Sequence, residues 1–407
     1  MTKLFKFPDP LLILLALFAT LLGLIFIYDA SFVLALAKNT DDIISPPLRQ
    51  QLQYLPVALI FGFFCSAIPG KLWFQTSKLA IWVGLVLLIL VKFIGKEVNG
   101  ATRWIPIGSN TFQPSEFAKL ATVIFLAGVF ASRAEWVEQK LLGRSWRWIA
   151  AHRVIPKAVR CAPMLLVLFA VWLIENEPDL GTAAVLASIA FLMSIAGGAN
   201  RWTLIGGCFV SVLAVFIMVK SEPYRLDRIN NHNHRYTKQN VDSAGYQTVM
   251  SEVGMAMGGL KGTGPGSGRA KGVMPEAETD FLITTPAEEL GLGGALFIIA
   301  TLCAIIWRLC YQSFHAQTMF VKLGLLGMAS WIAVQSGTNV LMANGTLPAI
   351  GIPLPFLSAG ASSLTALWMG IGLSQSLLRM EEKPKEEKQG ESGDHGRGNG
   401  RPYLSRA

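Results

Sequence analysis

Charged side chains are scarce in this sequence of 407 residues. Asp, Glu, Lys and Arg together make up 15% of it, whereas soluble domains carry about a quarter, and hydrophobic residues reach 52%. Cysteine is also rare. There are five cysteines, an odd number, and no two have Cys-x-x-Cys spacing. A disulfide scaffold and a cysteine zinc site are therefore excluded. The shortage of charge likewise excludes a water-soluble enzyme and a disordered chain, and leaves a polytopic membrane protein.

Long apolar runs predict an all-α integral membrane protein with about ten transmembrane helices, because only helices and closed barrels satisfy backbone hydrogen bonds in lipid. The runs cover residues 11–28, 54–69, 79–95, 117–132, 163–175, 180–197, 202–219, 290–307, 320–342 and 360–378. The run at 163–175 is the shortest and needs its flanks to cross ~30 Å of hydrocarbon. The N-terminal run resembles a secretion signal, but it exceeds the usual ~7–15 apolar residues, so we expect a retained first helix.

Basic residues predict the orientation of these helices. The segment 133–160 is rich in Lys and Arg, so the positive-inside rule places it in the cytoplasm together with both termini. Residues 220–289 then form a large extracytoplasmic loop between helices 7 and 8. We expect residues 1–380 to form one membrane domain and the charged residues 381–407 to form a disordered cytoplasmic tail. Inside-facing basic loops account for most of the net charge of +9, so no nucleic-acid partner is predicted.

An acidic segment follows the long loop and borders an apolar run. Five carboxylates fall within 14 residues, from Glu276 to Glu289, and a solvated acidic loop is the default interpretation. Asp280 differs from the others because Phe281 and two aliphatic residues follow it directly. Partial desolvation there would raise the pKa of its carboxyl group toward values useful for a general base. Asp280 is therefore the first candidate for a catalytic residue.

Cationic and capping side chains occur in the other outward segments. Arg103 beside Trp104 offers a planar fork for phosphate oxygens, although an interfacial Trp alone is ordinary. Glu116, just after Pro114, is equally explained by a helix start. Asp179 is favoured as a cap on the helix that follows it, with the positioning of cations as the alternative.

Two further features of the long loop leave alternatives open. The glycine-rich stretch at 258–266 could let the backbone approach a phosphate, but it lacks the Gly-Lys-Ser/Thr ending of a Walker sequence. His232 and His234 suggest a metal site, yet no third ligand has useful spacing, so a solvated loop is favoured.

An ordered set of short motifs resembles the SEDS family (shape, elongation, division and sporulation), whose members include the division protein FtsW and the elongation protein RodA. Each motif is weak alone, but the ordered set is highly specific and extends over roughly residues 10–380. The motifs are Asn-Gly-Ala-x-Arg-Trp at 99–104, Gln113 to Glu116 with Lys119, Pro-Asp-Leu-Gly-Thr at 178–182, Tyr224-Arg225 with Arg228, the glycines of 258–266, Pro275-Glu276 with Thr279-Asp280-Phe281, Glu-Glu-Leu-Gly at 288–291, and Gly-Ile-Pro-Leu-Pro-Phe at 351–356.

The resemblance implies a SEDS fold and a peptidoglycan glycosyltransferase of the bacterial cytoplasmic membrane, which polymerises lipid II, a disaccharide-pentapeptide on undecaprenyl diphosphate. Asp280 would be the general base. The implied substrate-binding residues are Arg103, Trp104, Glu116, Lys119, Asp179, Arg225 and Arg228. Arginines or a divalent cation, Mg²⁺ or Mn²⁺, can stabilise the departing diphosphate, and no cofactor is certain. The implied partners are a class B penicillin-binding protein, which is a transpeptidase, and other divisome or elongasome proteins.

Three departures from the family pattern bear on the site. Glu278 stands where His is usual and should push the titration of Asp280 upward, while Glu177 replaces a common glutamine. The residues 359–363 replace an aromatic-Gly-Gly-Ser-Ser motif, which leaves their role open.

Two other functions compete with glycan polymerisation. A flippase for the same lipid-linked precursor would want polar residues through the full membrane depth, whereas the predicted spans are nearly free of charge. A noncatalytic division scaffold would tolerate substitution of Asp280. The sequence leans toward the FtsW type without deciding between division and elongation.

Overall fold

The computed structural model describes residues 7–37, 44–98, 101–108, 110–141, 155–199, 205–207, 223–241 and 245–381. Within these ranges the chain forms fourteen delimited helices and one small sheet. The helices are α1 Pro10–Ala37, α2 Pro46–Ala67, α3 Gly70–Ile94, α4 Pro114–Leu141, α5 Ile155–Glu175, α6 Leu180–Ala196, α7 Pro223–Asn233, α8 Lys238–Val241, α9 Tyr246–Gly258, α10 Ala270–Val273, α11 Thr284–Glu289, α12 Gly291–His315, α13 Met319–Ala343 and α14 Ala361–Glu381.

The apolar runs correspond to the long helices. All but one of the ten predicted spans fall on α1–α6 and α12–α14, and the remaining run, 202–219, lies outside the described residues except for 205–207. Five segments are long and apolar enough to cross a membrane: Pro10–Phe32, Gly70–Ile94, Pro114–Arg133, Gly291–His315 and Met319–Ala343. The prediction of an all-α polytopic membrane protein is therefore confirmed in its main features.

Two segments predicted as loops are folded. Between α3 and α4 the chain forms strands β1 Lys96–Val98, β2 Ala101–Ile107 and β3 Asn110–Phe112, which pair antiparallel in the order β1-β2-β3. The large loop predicted at 220–289 contains the five short helices α7–α11 in its described part. The sequence predicted a large loop there without helices of its own, and the buried polar contacts described below organise these short helices.

The bundle is built around α4 and α13. Helix α4 packs against α3, α6 and α13, and α14 packs along α2. Close approach of α2 and α14 depends on glycine: a Cβ on Gly372 would lie 2.0 Å from the carbonyl oxygen of Gly62. Such a contact is impossible, so these helices require small residues where they meet.

Both ends of the described chain lie at one end of the bundle. The backbone N–H of Asp9 donates to Gln375 Oε1 at 2.9 Å, and Gln375 Nε2 donates to the carbonyl of Asp9 at 2.8 Å. The carboxylate of Asp9, which is fully buried, pairs with Arg308 Nε at 2.8 Å. The predicted tail lies outside the described residues from 382 onward.

Candidate functional site

Asp280 lies in the connection between α10 and α11, at the far end of α13 from Asp9. Asn339 of α13 donates through Nδ2 to the carbonyl of Asp280 at 2.7 Å and to the carbonyl of Ile352 at 2.7 Å. A Cβ built on Gly351 would lie 3.4 Å from Asp280 Oδ2, so the carboxylate sits directly against that glycine. One amide of α13 therefore joins the segment of Asp280 to the segment 350–353.

Burial, followed by the neighbouring charges, sets the pKa of Asp280. Burial raises the pKa of Asp280 to about 7, and the nearby carboxylates of Glu276 and Asp179 add to the rise, while Arg103 and Arg228 oppose it. The largest like-charge effect comes from Glu276. A carboxyl group with a pKa near neutrality is suited to accept a proton as a general base.

Arg103 reaches the turn between α5 and α6 from the central strand of the small sheet. Its Nε donates to the carbonyl of Glu177 at 3.0 Å, and its Nη2 donates to the carbonyl of Pro178. The guanidinium carbon lies 6.0 Å from the ring centroid of Trp104, which is half-buried. Antiparallel pairing of β2 on both sides fixes this strand, so the sheet that the sequence did not predict is what positions Arg103.

Asp179 serves as a helix cap and also faces the site. Its Oδ1 accepts from the backbone N–H of Thr182 at 3.0 Å, which confirms the predicted cap on α6. Its Oδ2 accepts from Gln113 Nε2 at 3.3 Å. The same carboxylate is close enough to Asp280 to raise its pKa, so the cap and the site share one residue.

Glu116 and Lys119 lie in the interior of the bundle. Lys119 is 1% exposed, and its Nζ donates to Glu116 Oε1 at 2.7 Å and to Gln335 Oε1 at 2.8 Å. The ammonium also lies 5.1 Å from the ring centroid of Trp331. The structure thus pairs buried Lys119 with protein groups, whereas the sequence had grouped it with the arginines expected to bind phosphate.

Gln335 and Asn339 are the residues that sequence reasoning missed. They lie four positions apart on α13 and so share one face of that helix. Gln335 Nε2 donates to the carbonyl of Pro353 at 2.9 Å, in parallel with the bond from Asn339 to Ile352. These bonds connect buried Lys119 to the segment next to Asp280. Two amides at helical spacing in an apolar helix were the available signal.

The other predicted cations are only partly described. Arg228 lies on α7, is half-buried, and is near enough to Asp280 to lower its pKa. The backbone of Arg225 belongs to the same helix, but its side chain lies outside the described part of the structure. Among the described residues, no group of three His, Cys, Asp or Glu side chains forms a metal site, including around His232 and His234.

The glycine-rich stretch is occupied by the protein's own carboxylates. Glu289 accepts from the backbone N–H groups of Gly266 at 2.8 Å and Gly268 at 3.0 Å, and Glu288 accepts from that of Arg269 at 2.7 Å. Both glutamates are buried, so the default interpretation of a solvated acidic loop is wrong for them. The amides of these two glycines are already bonded, which argues against the phosphate-approaching alternative.

Buried Lys271 completes this cluster and ties it to α1. Its Nζ lies 2.5 Å from both Glu289 Oε1 and Asp29 Oδ1. Burial by itself would lower the pKa of Lys271, but the hydrogen bonds to the two carboxylates outweigh burial and raise it. The cluster therefore fastens the segment before Asp280 to the first helix.

These features define a class: a helical integral membrane protein with an acid of raised pKa and two arginines gathered at one end of the bundle. Comparison with known proteins makes the class specific. A family model described as cell cycle protein, for the FtsW, RodA and SpoVE proteins, matches residues 9–383. The chain belongs to this family, which is the SEDS family that its motifs resemble.

Individual relatives agree over nearly the whole chain. A probable peptidoglycan glycosyltransferase FtsW of Idiomarina loihiensis is 30% identical over 382 residues, covering 92% of this chain and 87% of the relative. Stage V sporulation protein E of Bacillus subtilis is 31% identical and covers 91% of this chain and 97% of its own.

Solved structures have the same fold. A structure described as a peptidoglycan synthase complex that coordinates polymerization and crosslinking contains a chain with a TM-score of 0.72 and 26% identity, covering 93% of this chain and 99% of its own. The rod shape determining protein RodA of Thermus thermophilus has a TM-score of 0.64 at 24% identity, covering 93% of this chain and 98% of its own.

Proposed function

We propose that this protein is a peptidoglycan glycosyltransferase that polymerises lipid II into glycan strands during cell division or elongation. Membership of the FtsW, RodA and SpoVE family and the names of its relatives support the activity. The single observation that carries the chemistry is the placement of Asp280, whose pKa is raised to about 7, within the electrostatic reach of Arg103 and Arg228.

The reaction joins a sugar hydroxyl to an anomeric carbon that bears diphosphate. Asp280 takes the proton from the acceptor hydroxyl as the new glycosidic bond forms. The bond from the anomeric carbon to the diphosphate oxygen breaks, and undecaprenyl diphosphate leaves with the bonding electrons. Direct displacement of this kind inverts the anomeric configuration. Diphosphate is a good leaving group, so one carboxylate suffices, in contrast to the carboxylate pair of most glycoside hydrolases.

The cations stabilise the negative charge that develops on the leaving group. Arg103 is held by two main-chain carbonyls, and a guanidinium has more N–H donors than these two bonds use. Arg228 and Arg225 lie on the same helix, α7, and are the further candidates for binding diphosphate oxygens. Trp104 provides an aromatic surface beside Arg103.

The acidic and buried members of the predicted set are assigned supporting roles. Asp179 fixes the start of α6 and keeps the pKa of Asp280 high. Glu116 and Lys119 hold α4 against α13 through Gln335 and are positioning residues.

A divalent cation, Mg²⁺ or Mn²⁺, is expected to bind mainly through the diphosphate oxygens of the substrate. In the described part of the chain no three His, Cys, Asp or Glu side chains converge on one point, which leaves the substrate as the main source of ligands. Such an ion would add charge stabilisation to that of the arginines.

We propose that the chain spans the bacterial inner membrane, with the site on the outer side and both termini on the cytoplasmic side. Asp9 and Glu381 mark one end of the bundle, since Glu381 Oε1 accepts from the backbone of Thr318, just before α13. Asn339, which holds Asp280, lies about 30 Å farther along α13 at 1.5 Å per residue. That distance is the thickness of the hydrocarbon core, so the site and the termini belong on opposite sides.

A transpeptidase partner is part of the proposal. Polymerisation and crosslinking are combined in the synthase complex that contains the structural neighbour. For this chain we expect a class B penicillin-binding protein, together with other divisome or elongasome proteins.

An assay with purified lipid II tests the function. The protein, in detergent and with candidate transpeptidase partners, should convert lipid II to glycan strands visible on a gel, with and without Mg²⁺ or Mn²⁺. Proteoliposomes with labelled lipid II on one leaflet should show no accelerated transfer to the other. If lipid II is transferred between leaflets and no polymer forms in any combination, the protein is a flippase and not a polymerase. If neither transfer nor polymer is observed, the result favours a noncatalytic scaffold.

A further inference from the structure

Glu177 has a buried carboxyl group that the proposed mechanism does not use. The residue is 2% exposed, and neither carboxyl oxygen has a hydrogen-bond partner among the described residues. An ionised carboxylate in such a place is costly, because nothing replaces its lost hydration. The group is therefore expected to be neutral when the protein folds around it.

The main chain of the same residue holds Arg103. The carbonyls of Glu177 and Pro178 accept from Nε and Nη2 of the guanidinium, so the main chain at Glu177 holds Arg103. The carboxyl group of Glu177 makes no hydrogen bond to Arg103 but lies within its electrostatic range. A hydrogen bond from a guanidinium to a carboxylate is roughly twice as strong as one to a neutral carbonyl. When Glu177 is neutral, the main-chain carbonyls are the better acceptors for Arg103. When Glu177 is ionised, its carboxylate becomes the stronger acceptor and competes with them.

The charged groups facing Glu177 come from three elements. Asp179 lies in the same turn, Arg103 on β2 and Lys92 on α3. Burial raises the pKa of Glu177 to about 8; the charge of Asp179 adds to the rise, and the two cations oppose it. The neutral form thus predominates up to about that pH and gives way above it.

We propose that neutral Glu177 is a positioning residue that leaves Arg103 directed at the diphosphate, and that its ionisation draws the guanidinium away from the substrate. This inference rests on the proposed function, since it assigns a role to Arg103 in binding diphosphate. Ionisation of Glu177 would thus lower the activity at alkaline pH, although this side chain does not contact the substrate.

Glu177→Gln tests the inference because glutamine copies the size of the neutral acid and cannot ionise. We compare initial rates of lipid II polymerisation from pH 6 to 9.5 in the wild type, Glu177→Gln and the control Glu175→Gln. Glu175 is also buried and lies two positions earlier, at the end of α5. Rate ratios between proteins at one pH cancel the titration of Asp280 and of the substrate.

For a group that titrates near pH 8, the ratio of Glu177→Gln to wild type should be about 1 at pH 7, about 2 at pH 8 and about 10 at pH 9. The control should follow the wild type throughout. A ratio for Glu177→Gln that stays flat across this range overturns the inference while leaving the glycosyltransferase intact. If the wild-type protein forms no polymer at any pH, the result contradicts the proposed function instead.

Binding provides a second readout that does not depend on turnover. The affinity of the wild type for lipid II should fall about tenfold between pH 7 and 9 relative to Glu177→Gln. If the variant proves unstable, a wild-type affinity that is constant over this range is enough to overturn the inference.

Discussion

The ionisation of Asp280 should set the acid side of the pH dependence of polymerisation. With its pKa raised to about 7, the carboxyl group is about 50% ionised at pH 7, about 10% at pH 6 and about 1% at pH 5. Only the ionised form accepts a proton, so the initial rate should fall about fivefold between pH 7 and 6 and about tenfold between pH 6 and 5. An unperturbed aspartate, with a pKa near 3.9, would remain ionised through this range.

The assay is the initial rate of glycan formation at saturating lipid II, measured between pH 5 and 8. Glu276→Gln removes the neighbouring charge that raises the pKa of Asp280 most, so the acid limb should move to lower pH. Arg228→Gln removes a charge that lowers it, so the limb should move to higher pH. A rate that stays constant from pH 5 to 8, or a shift of the two variants in the same direction, would refute this assignment.

Two further predictions concern the stability of the segment that precedes Asp280. Lys271→Met leaves the buried carboxylate of Glu289 uncompensated and should cost about 3–5 kcal/mol, seen as a lower melting temperature in detergent than for Lys261→Met at an exposed site. Equal melting of the two variants would contradict it. Gly262→Ala should destabilise more than Gly266→Ala: both glycines have positive φ, but only at Gly262 would the new Cβ collide, 2.1 Å from a carbonyl oxygen. The reverse order of melting would contradict this reasoning.

Composition and apolar runs predicted the helical membrane domain well. The spans are evident because lipid forces backbone hydrogen bonds into helices, and apolar side chains then mark each crossing. The ends of the helices were less predictable. Helix α3 begins at Gly70, whereas the apolar run begins at 79, because polar residues can continue a helix outside the hydrocarbon.

The folded structure of residues 245–291 could not be read from local sequence. Its glycines and charged residues are typical of an irregular loop. Order comes from contacts that only tertiary structure provides: Lys271 meets Asp29 of α1, and the carboxylates of Glu288 and Glu289 accept from backbone amides within 266–269. Once buried, these charges need partners, and the partners fix the chain.

The site was predicted in part. Asp280 could be selected from its apolar flank, and Asp179 as a cap from its position before a helix. The approach of Arg103 to both depends on the small sheet and on the turn at 177–178, which are distant in sequence. The family resemblance, and not the spacing of residues, supplied that grouping. Asn339, which holds the backbone of Asp280, had no role assigned to it.

The most direct test of the central claim is lipid II polymerisation by Asp280→Asn, purified beside the wild type with the same partner. Asparagine keeps the size of the side chain but cannot accept the proton. We expect glycan formation to be lost while the melting temperature and the affinity for lipid II stay close to those of the wild type. Glycan strands made by Asp280→Asn at the wild-type rate would contradict the claim and place the base on another residue.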